Sequence, residues 1–291
     1  MSDMKIAVLL TCYNRVQTTL DCLSRFLMCR TPPHFCLDLW VVDDGSTDGT
    51  GDAIRSESKR WHQEGWTGQL HLLGGTGSLY WCGGMRLAWQ CASEHMDYDG
   101  YLWLNDDVFF DVPQMETFFE MLQGTLDSIL AGACQDPVTL KASYGFQSNA
   151  RSPVEPDKER LLTYRDGMNG NCVFVPRNVF KKVGNFLDCY VHLGGDFDYG
   201  WRALRRHVQV ALVPFFIGSC SRHDAPPQFL QAGLPIRERW RLFRHPKERI
   251  SLRAYRCLNV ARWGVLGNLA VLRWPVIFIR ACCNRLPIAN S

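Results

Sequence analysis

Four short apolar runs, at residues 5–10, 37–42, 70–73 and 101–104, each break off into a turn of polar residues or glycines. Runs of four to six residues have the length of buried strands rather than of helices. Between the first two, Leu20, Leu23, Leu27 and Met28 share one face of a helix predicted over 16–28. Helical patterns also cover 51–64 and a stretch that follows Gly83-Gly84 through His95, and Ser46 or Thr47 is placed to cap the first of these. Strands alternating with helices at this spacing predict an α/β domain, with a mostly parallel sheet and helices on both faces. Such sheets keep their ligands outside the carboxyl ends of the strands. Chemistry is therefore expected in the turns that end these runs.

The second half is less regular. Helices are expected at 112–122, with Pro113 in the first turn, at 177–183, ended by Gly184, and at 196–206; strands are expected at 172–175 and 208–213. Residues 135–166 are polar and broken by prolines, and read as a hairpin with a mobile loop. A chain of 291 residues, 46% hydrophobic, suffices for one large domain with an appendage. The apolar run near the amino terminus is too short for the centre of a signal peptide. None of the thirteen cysteines forms a Cys-x-x-Cys pair. Zinc and redox motifs are thus unsupported, and the expected compartment is the cytoplasm, with most cysteines acting as small core residues.

The net charge of +3 hides an asymmetry. Residues 237–285 carry twelve Lys/Arg against Glu238 and Glu248, while the rest of the chain carries twenty bases and twenty-seven acids. An acidic body with a basic tail predicts an anionic partner for the tail.

Three acidic clusters follow predicted strands or open a predicted helix: Asp43-Asp44, Asp106-Asp107 and Asp196-x-Asp198. An unpaired buried carboxylate is costly, so such clusters mark a strand end meeting solvent or a bound cation. With the glycine turns, they resemble the inverting family 2 glycosyltransferases of the GT-A fold. The matching segments are Val8-Leu9-Leu10-Thr11-Cys12-Tyr13-Asn14-Arg15, Val41-Val42-Asp43-Asp44-Gly45-Ser46-Thr47-Asp48-Gly49-Thr50 and Leu104-Asn105-Asp106-Asp107. Further on, Gly170-Asn171-Cys172-Val173-Phe174-Val175-Pro176-Arg177 and Gly195-Asp196-Phe197-Asp198-Tyr199-Gly200-Trp201-Arg202 fit as well. The resemblance spans roughly residues 5–224 and looks closest to rhamnosyltransferase-like members. It implies a GT-A domain over 1–224 and a basic, apolar helical extension over 225–291.

The resemblance also implies roles. Thr11, Arg15, Asp44, Gly77, Trp81, Gly84, Asn105 and Asp106 would serve the donor, a nucleotide-diphosphate sugar with a dTDP or UDP carrier favoured. Asp44 would accept from the base; simple turn capping is the other reading of that residue. Asp48 is expected to bond back into its own turn. Trp81 would wall the sugar pocket or sit in the core, and Cys82 stands where the family often has Asn. Asp107 would bind Mg²⁺ or Mn²⁺, ions that take oxygen ligands, with Asn105 as an uncharged companion and His223 completing the metal or phosphate site. Asp196 would be the general base, with Asp198 supporting it and pairing with Arg202.

In the tail, residues 263–272 and 274–279 are apolar but interrupted by Arg273, Gly264, Gly267, Asn268 and Pro275. A spanning helix needs about 20 continuous apolar residues. An interfacial helix with basic flanks fits better, at the inner face of the plasma membrane; packing on the domain or a dimer contact are the other readings. Nucleic acid is not among the expected partners. The expected activity is metal-dependent transfer of rhamnose or another hexose to a glycan or lipid-linked acceptor in cell-surface polysaccharide synthesis. The alternatives are a nucleotidyltransferase, which would ordinarily carry a basic glycine-rich loop where Thr11 to Arg15 stand, and a non-catalytic nucleotide-sugar-binding scaffold.

Overall fold

A computed structural model describes residues 4–148, 152–163, 167–222, 226–231 and 233–282. The amino-terminal half alternates as the sequence predicts: β1 (Met4–Cys12), α1 (Val16–Leu27), β2 (Phe35–Asp43), α2 (Thr50–Gln63), β3 (Leu70–Gly74), α3 (Tyr80–His95) and β4 (Gly100–Asn105). A short β5 (Phe109–Phe110), α4 (Val112–Leu122) and β6 (Ser128–Gln135) follow. The described residues of 136–166 hold the small strands β7 (Ala142–Tyr144), β8 (Phe146–Gln147) and β9 (Leu162–Thr163), and β8 pairs with β10 (Gly167–Met168) in a separate ribbon. Then come β11 (Cys172–Pro176), α5 (Arg177–Val183), α6 (Gly195–Arg205) and β12 (Gln209–Ser219).

The sheet runs β3-β2-β1-β4-β11-β6-β12-β5. Pairings β1–β2, β1–β4, β2–β3 and β6–β12 are parallel, and β11 is inserted antiparallel between β4 and β6. Side chains alternate across the pleat. Ile6, Val8 and Leu10 meet Leu23 and Phe26 of α1 and Phe118 of α4 on one face, while Ala7, Leu9 and Trp103 meet Met85 and Trp89 of α3 and Tyr199 of α6 on the other. Both faces are covered, which is why the central strands read as unbroken apolar runs.

Register decides where the chemistry falls. Thr11 pairs with Val42 and Asn105, Cys12 with Asp43, and Asp43 with Gly74. The carboxyl ends of β1 to β4 therefore share one edge. Because β11 runs the other way, its preceding residues Gly170 and Asn171 arrive at that same edge, where the Asn105 amide donates to the Asn171 carbonyl at 3.0 Å.

Two local expectations are corrected. Neither Ser46 nor Thr47 caps α2. The capping position is Gly49 in a left-handed conformation, and Asp48 accepts from the Thr50 amide and hydroxyl. Gly83 and Gly84 lie inside α3 rather than before it, because a side chain at Gly84 would collide with Thr11 Oγ1. β6 escaped the sequence pattern: alanines and Gly132 replace the large residues that mark the other strands, and a Cβ at Gly132 would press on Ile217 of β12.

The tail contains a 3-10 turn (Gln228–Leu230), α7 (Ile236–Phe243), α8 (Leu252–Trp263), a second 3-10 helix (Gly264–Leu272) and α9 (Arg273–Cys282). Ala254 and Ala261 of α8 are buried, the latter within the core that includes α6. Phe229 and Phe243 form a separate cluster with Trp274, Ile277 and Phe278. No helix among the described residues is long and apolar enough to cross a membrane.

Candidate active site

At the end of β4 the chain turns through Asn105, Asp106 and Asp107. Asp106 is buried; it accepts from Thr19 Oγ1 at 3.3 Å and from Arg15 Nη1 at 3.1 Å. The same Arg15 nitrogen reaches Asp107 Oδ2 at 3.2 Å, so one guanidinium serves both acids. Burial pushes Asp106 up to about 6, against the pull of Arg15. Asp107 is more exposed, and its other oxygen accepts from the Cys220 thiol at 3.6 Å. Arg15 is held in place by a stitched pair of loops. Thr47 N donates to Asn14 Oδ1 at 2.7 Å, Asn14 N to Ser46 Oγ at 2.9 Å, and Val16 N to Asp48 Oδ2 at 3.1 Å.

Asp44 is buried one residue past β2, and its carboxylate accepts from the amides of Gly77, Leu79 and Tyr80 at 2.9, 3.2 and 2.8 Å. A carboxylate from one strand thus caps the start of α3, where a negative charge complements the free amides. The carboxylate thereby ties the end of β2 to the 77–80 turn. The close fit needs glycine: a Cβ on Gly45 would stand 3.0 Å from the Gly77 nitrogen, and one on Gly75 2.5 Å from Asp44 Oδ1. Gly77 itself has φ +80. Thr11 Oγ1 donates to the Val42 carbonyl at 3.3 Å, and the buried Gly84 packs on it. Both position α3 against the sheet.

Asp196 sits in the first turn of α6, after Gly194 in a left-handed conformation. Its oxygens accept from the Phe197 amide at 2.9 Å and the Gly170 amide at 3.2 Å. Burial raises it to about 6 while those amides hold it down. Trp81 joins this acid to the strand edge. Its indole N–H donates to Asn105 Oδ1 at 2.7 Å, and its ring lies so close over Gly170 that a Cβ there would collide with it. Asp198, two residues on, is fully buried and faces away; it accepts from Arg202 Nε at 2.6 Å and Tyr190 Oη at 3.1 Å. Arg202 also donates to the carbonyls of Val183 and Asn185, locking the loop before α6.

Several neighbours carry no mark in the sequence. Tyr80, with φ +53, stands 6.0 Å from the rings of both His192 and His245, and Lys247 Nζ lies 5.7 Å from its centre. His192 is pushed down to about 4, first by burial and then by Lys247, Arg15 and His245. His245 and Lys247 also line a hollow of about 250 Å³ with Arg241 and Gln228. These residues come from three separate segments, so no local pattern could have joined them. His223 lies outside the described residues.

Among the described residues no cluster of three or more His, Cys, Asp or Glu side chains converges as a metal cage. Mg²⁺ asks for less, taking one or two carboxylates together with substrate phosphates. Asp107 at the sheet edge, with one oxygen that has no ionic partner among the described residues, fits that requirement.

No protein-family model matches the chain, and no curated protein matches it. Solved structures do. TarS residues 1–349 from S. aureus aligns with a TM-score of 0.56 at 11% identity, covering 98% of this chain and 76% of that one. The same protein in complex with UDP-GlcNAc aligns at 0.55, 11% identity, 96% and 81% coverage. The mannosyltransferase PcManGT from Pyrobaculum calidifontis, in complex with GDP-Man and Mn²⁺, aligns at 0.50, 14% identity, 99% and 77% coverage. With its mostly parallel sheet covered by helices on both faces, this chain has the GT-A glycosyltransferase fold.

Proposed function

We propose that this protein is an inverting glycosyltransferase that moves a sugar, rhamnose or another hexose, from a nucleotide-diphosphate donor to a glycan or lipid-linked acceptor in cell-surface polysaccharide synthesis. The observation that carries the reading is Asp196. It is a carboxylate raised to about 6 by burial and held, among the described residues, by backbone amides. One of these belongs to Gly170, over which Trp81 packs while its indole bonds Asn105 at the strand edge. A base near 6 is ionised at neutral pH yet still accepts a proton in the transition state.

In this reaction Asp196 takes the proton of the acceptor hydroxyl, and the hydroxyl oxygen attacks the anomeric carbon. The bond from that carbon to the phosphate oxygen breaks on the opposite face, and its electron pair leaves with the nucleoside diphosphate. Arg15 and Lys247 supply positive charge for that leaving group. Asp44 acts through the 77–80 turn, whose amides it organises at the start of α3. Bound at Asp107, Mg²⁺ or Mn²⁺ would act as a Lewis acid toward the diphosphate. The solved neighbours support a nucleotide-sugar donor, since one of them binds UDP-GlcNAc and another GDP-Man with Mn²⁺.

A panel of UDP-, dTDP- and GDP-sugars tests the reading. One carrier is expected to raise Tm in the presence of Mg²⁺ or Mn²⁺ by mass action. No shift with any carrier would overturn the reading.

A further inference from the structure

After Gly264 the chain winds as a 3-10 helix, with about three residues per turn, so Leu266, Leu269 and Leu272 stack along one edge. The edge continues on α9 through Val276 and Ile279, at spacings of four and three. All of it is exposed: Leu266 is 73% exposed, Leu269 66%, Leu272 73%, Val276 43% and Ile279 59%, and Trp263 and Val265 beside it are exposed too. Scattered apolar side chains on a surface need no explanation, but a continuous stripe of this kind marks a contact.

The stripe cannot turn inward. Gly267 is buried on the opposite side, packed so tightly that a Cβ would collide with the Asn259 carbonyl of α8. Asn268 accepts from Arg256 at 2.7 Å and donates to the Val265 carbonyl at 2.9 Å, fixing the rotation of the 3-10 helix. The inner face of α9 is already occupied, with Trp274, Ile277 and Phe278 packed on Phe229 and Phe243.

Charge identifies what covers it. Residues 249–291 carry seven arginines and no Asp or Glu. Arg256, Arg262 and Arg273 are exposed around the stripe, with Arg262 lying over the Trp263 ring at 4.8 Å. A second copy using the same patch would bring these arginines face to face, because a two-fold contact pairs a surface with itself. An apolar strip with exposed arginines around it instead matches the headgroup boundary of an anionic bilayer. At roughly 2 Å and 1.5 Å of rise per residue, the stripe runs about 23 Å, which suits lying in the interface rather than crossing a core of about 30 Å.

We propose that residues 263–279 form a foot that seats the protein on anionic membrane surfaces. The inference stands apart from the transferase reading, since it needs no donor and no turnover. Gly264 packs beside Arg205 and Arg262 lies over Trp201, so the foot joins α6 near its carboxyl end, with Asp196 at the other end of the helix.

Flotation of the full chain with extruded vesicles tests this. Binding to vesicles of phosphatidylcholine with 30% phosphatidylglycerol is expected, weakening at high salt, with little binding to pure phosphatidylcholine. The variant L266D/L269D/L272D is expected to lose at least ten-fold in affinity while keeping the parent Tm, its substitutions all being on exposed positions. R256Q/R273Q is expected to lose less and to flatten the salt dependence. Wild-type protein that ignores phosphatidylglycerol vesicles, or equal binding by the triple-Asp variant, would overturn the proposal. A wild-type dimer that the same variant splits, without vesicle binding by either, would overturn it in favour of self-association.

Discussion

Asp106, at the edge of the sheet, and Asp196, at the start of α6, are both pushed up to about 6, and burial is the first cause in each. Their company differs. Asp106 shares the Arg15 guanidinium with Asp107 and a hydroxyl with Thr19, so its negative charge already has a fixed partner. Among the described residues Asp196 accepts only from the amides of Phe197 and Gly170. A buried acid beside a cation forms part of a binding surface. A half-buried acid whose described partners are amides keeps its appetite for a proton. Equal pKa values therefore mark different work, and the counter-charge is what separates them.

The largest effect that separates the two regions is on turnover. Asp196→Asn is expected to lower the transfer rate by about a thousand-fold or more while leaving the donor-induced rise in Tm intact. Full transfer by that variant would break the comparison. Asp107→Ala should do the reverse, abolishing metal-dependent donor stabilisation and reducing kcat/KM by on the order of a hundred-fold; a thermal-shift titration with and without EDTA checks it.

Asp198 extends the comparison to a third acid, one fully buried and fully paired. Arg202→Met strands that charge and should cost about 3–5 kcal/mol, read as a Tm lower by roughly 10 °C. Lys247→Ala should lower kcat by about ten-fold with the donor KM little changed, sharpening the assignment of this tail cation to the leaving group. Steady-state kinetics over donor concentration separates the two constants.

The smallest effect concerns stability. Because the native pKa of Asp196 lies above its ordinary 3.8, the folded protein holds that proton more tightly than the unfolded chain. Stability from this group is present below about pH 4 and is lost as pH rises to about 6. At pH 7.5 the ionised group is a cost, so Asp196→Asn should raise Tm by a few degrees, about 1–2 kcal/mol, with the gain fading near pH 4. Asp106→Asn should bring no such gain, since it also removes the Arg15 pair. Parallel melting curves for the two variants across pH decide it.

Much of this arrangement is legible in the sequence, and for physical reasons. The central strands are covered on both faces, so their apolar runs stand out, and helices α4 and α5 begin and end where Pro113, Gly184 and the apolar spacing place them. The acids are legible because a carboxylate at the end of a buried strand is costly. What stays hidden depends on packing between distant segments. β6 is a strand by virtue of its neighbours β11 and β12, with small residues that carry no periodic signal. The three amides that occupy Asp44 belong to a loop more than thirty residues away. Tyr80, His192, His245 and Lys247 meet only once the tail has folded back.

The central claim is that Asp196 accepts the acceptor's proton, and the pH dependence of kcat/KM with the donor that stabilises the protein tests it most directly. The predicted profile rises with pH, reaches half its plateau near pH 6, and loses that limb in Asp196→Asn. A wild-type profile that is flat from pH 5 to pH 8 would contradict the claim.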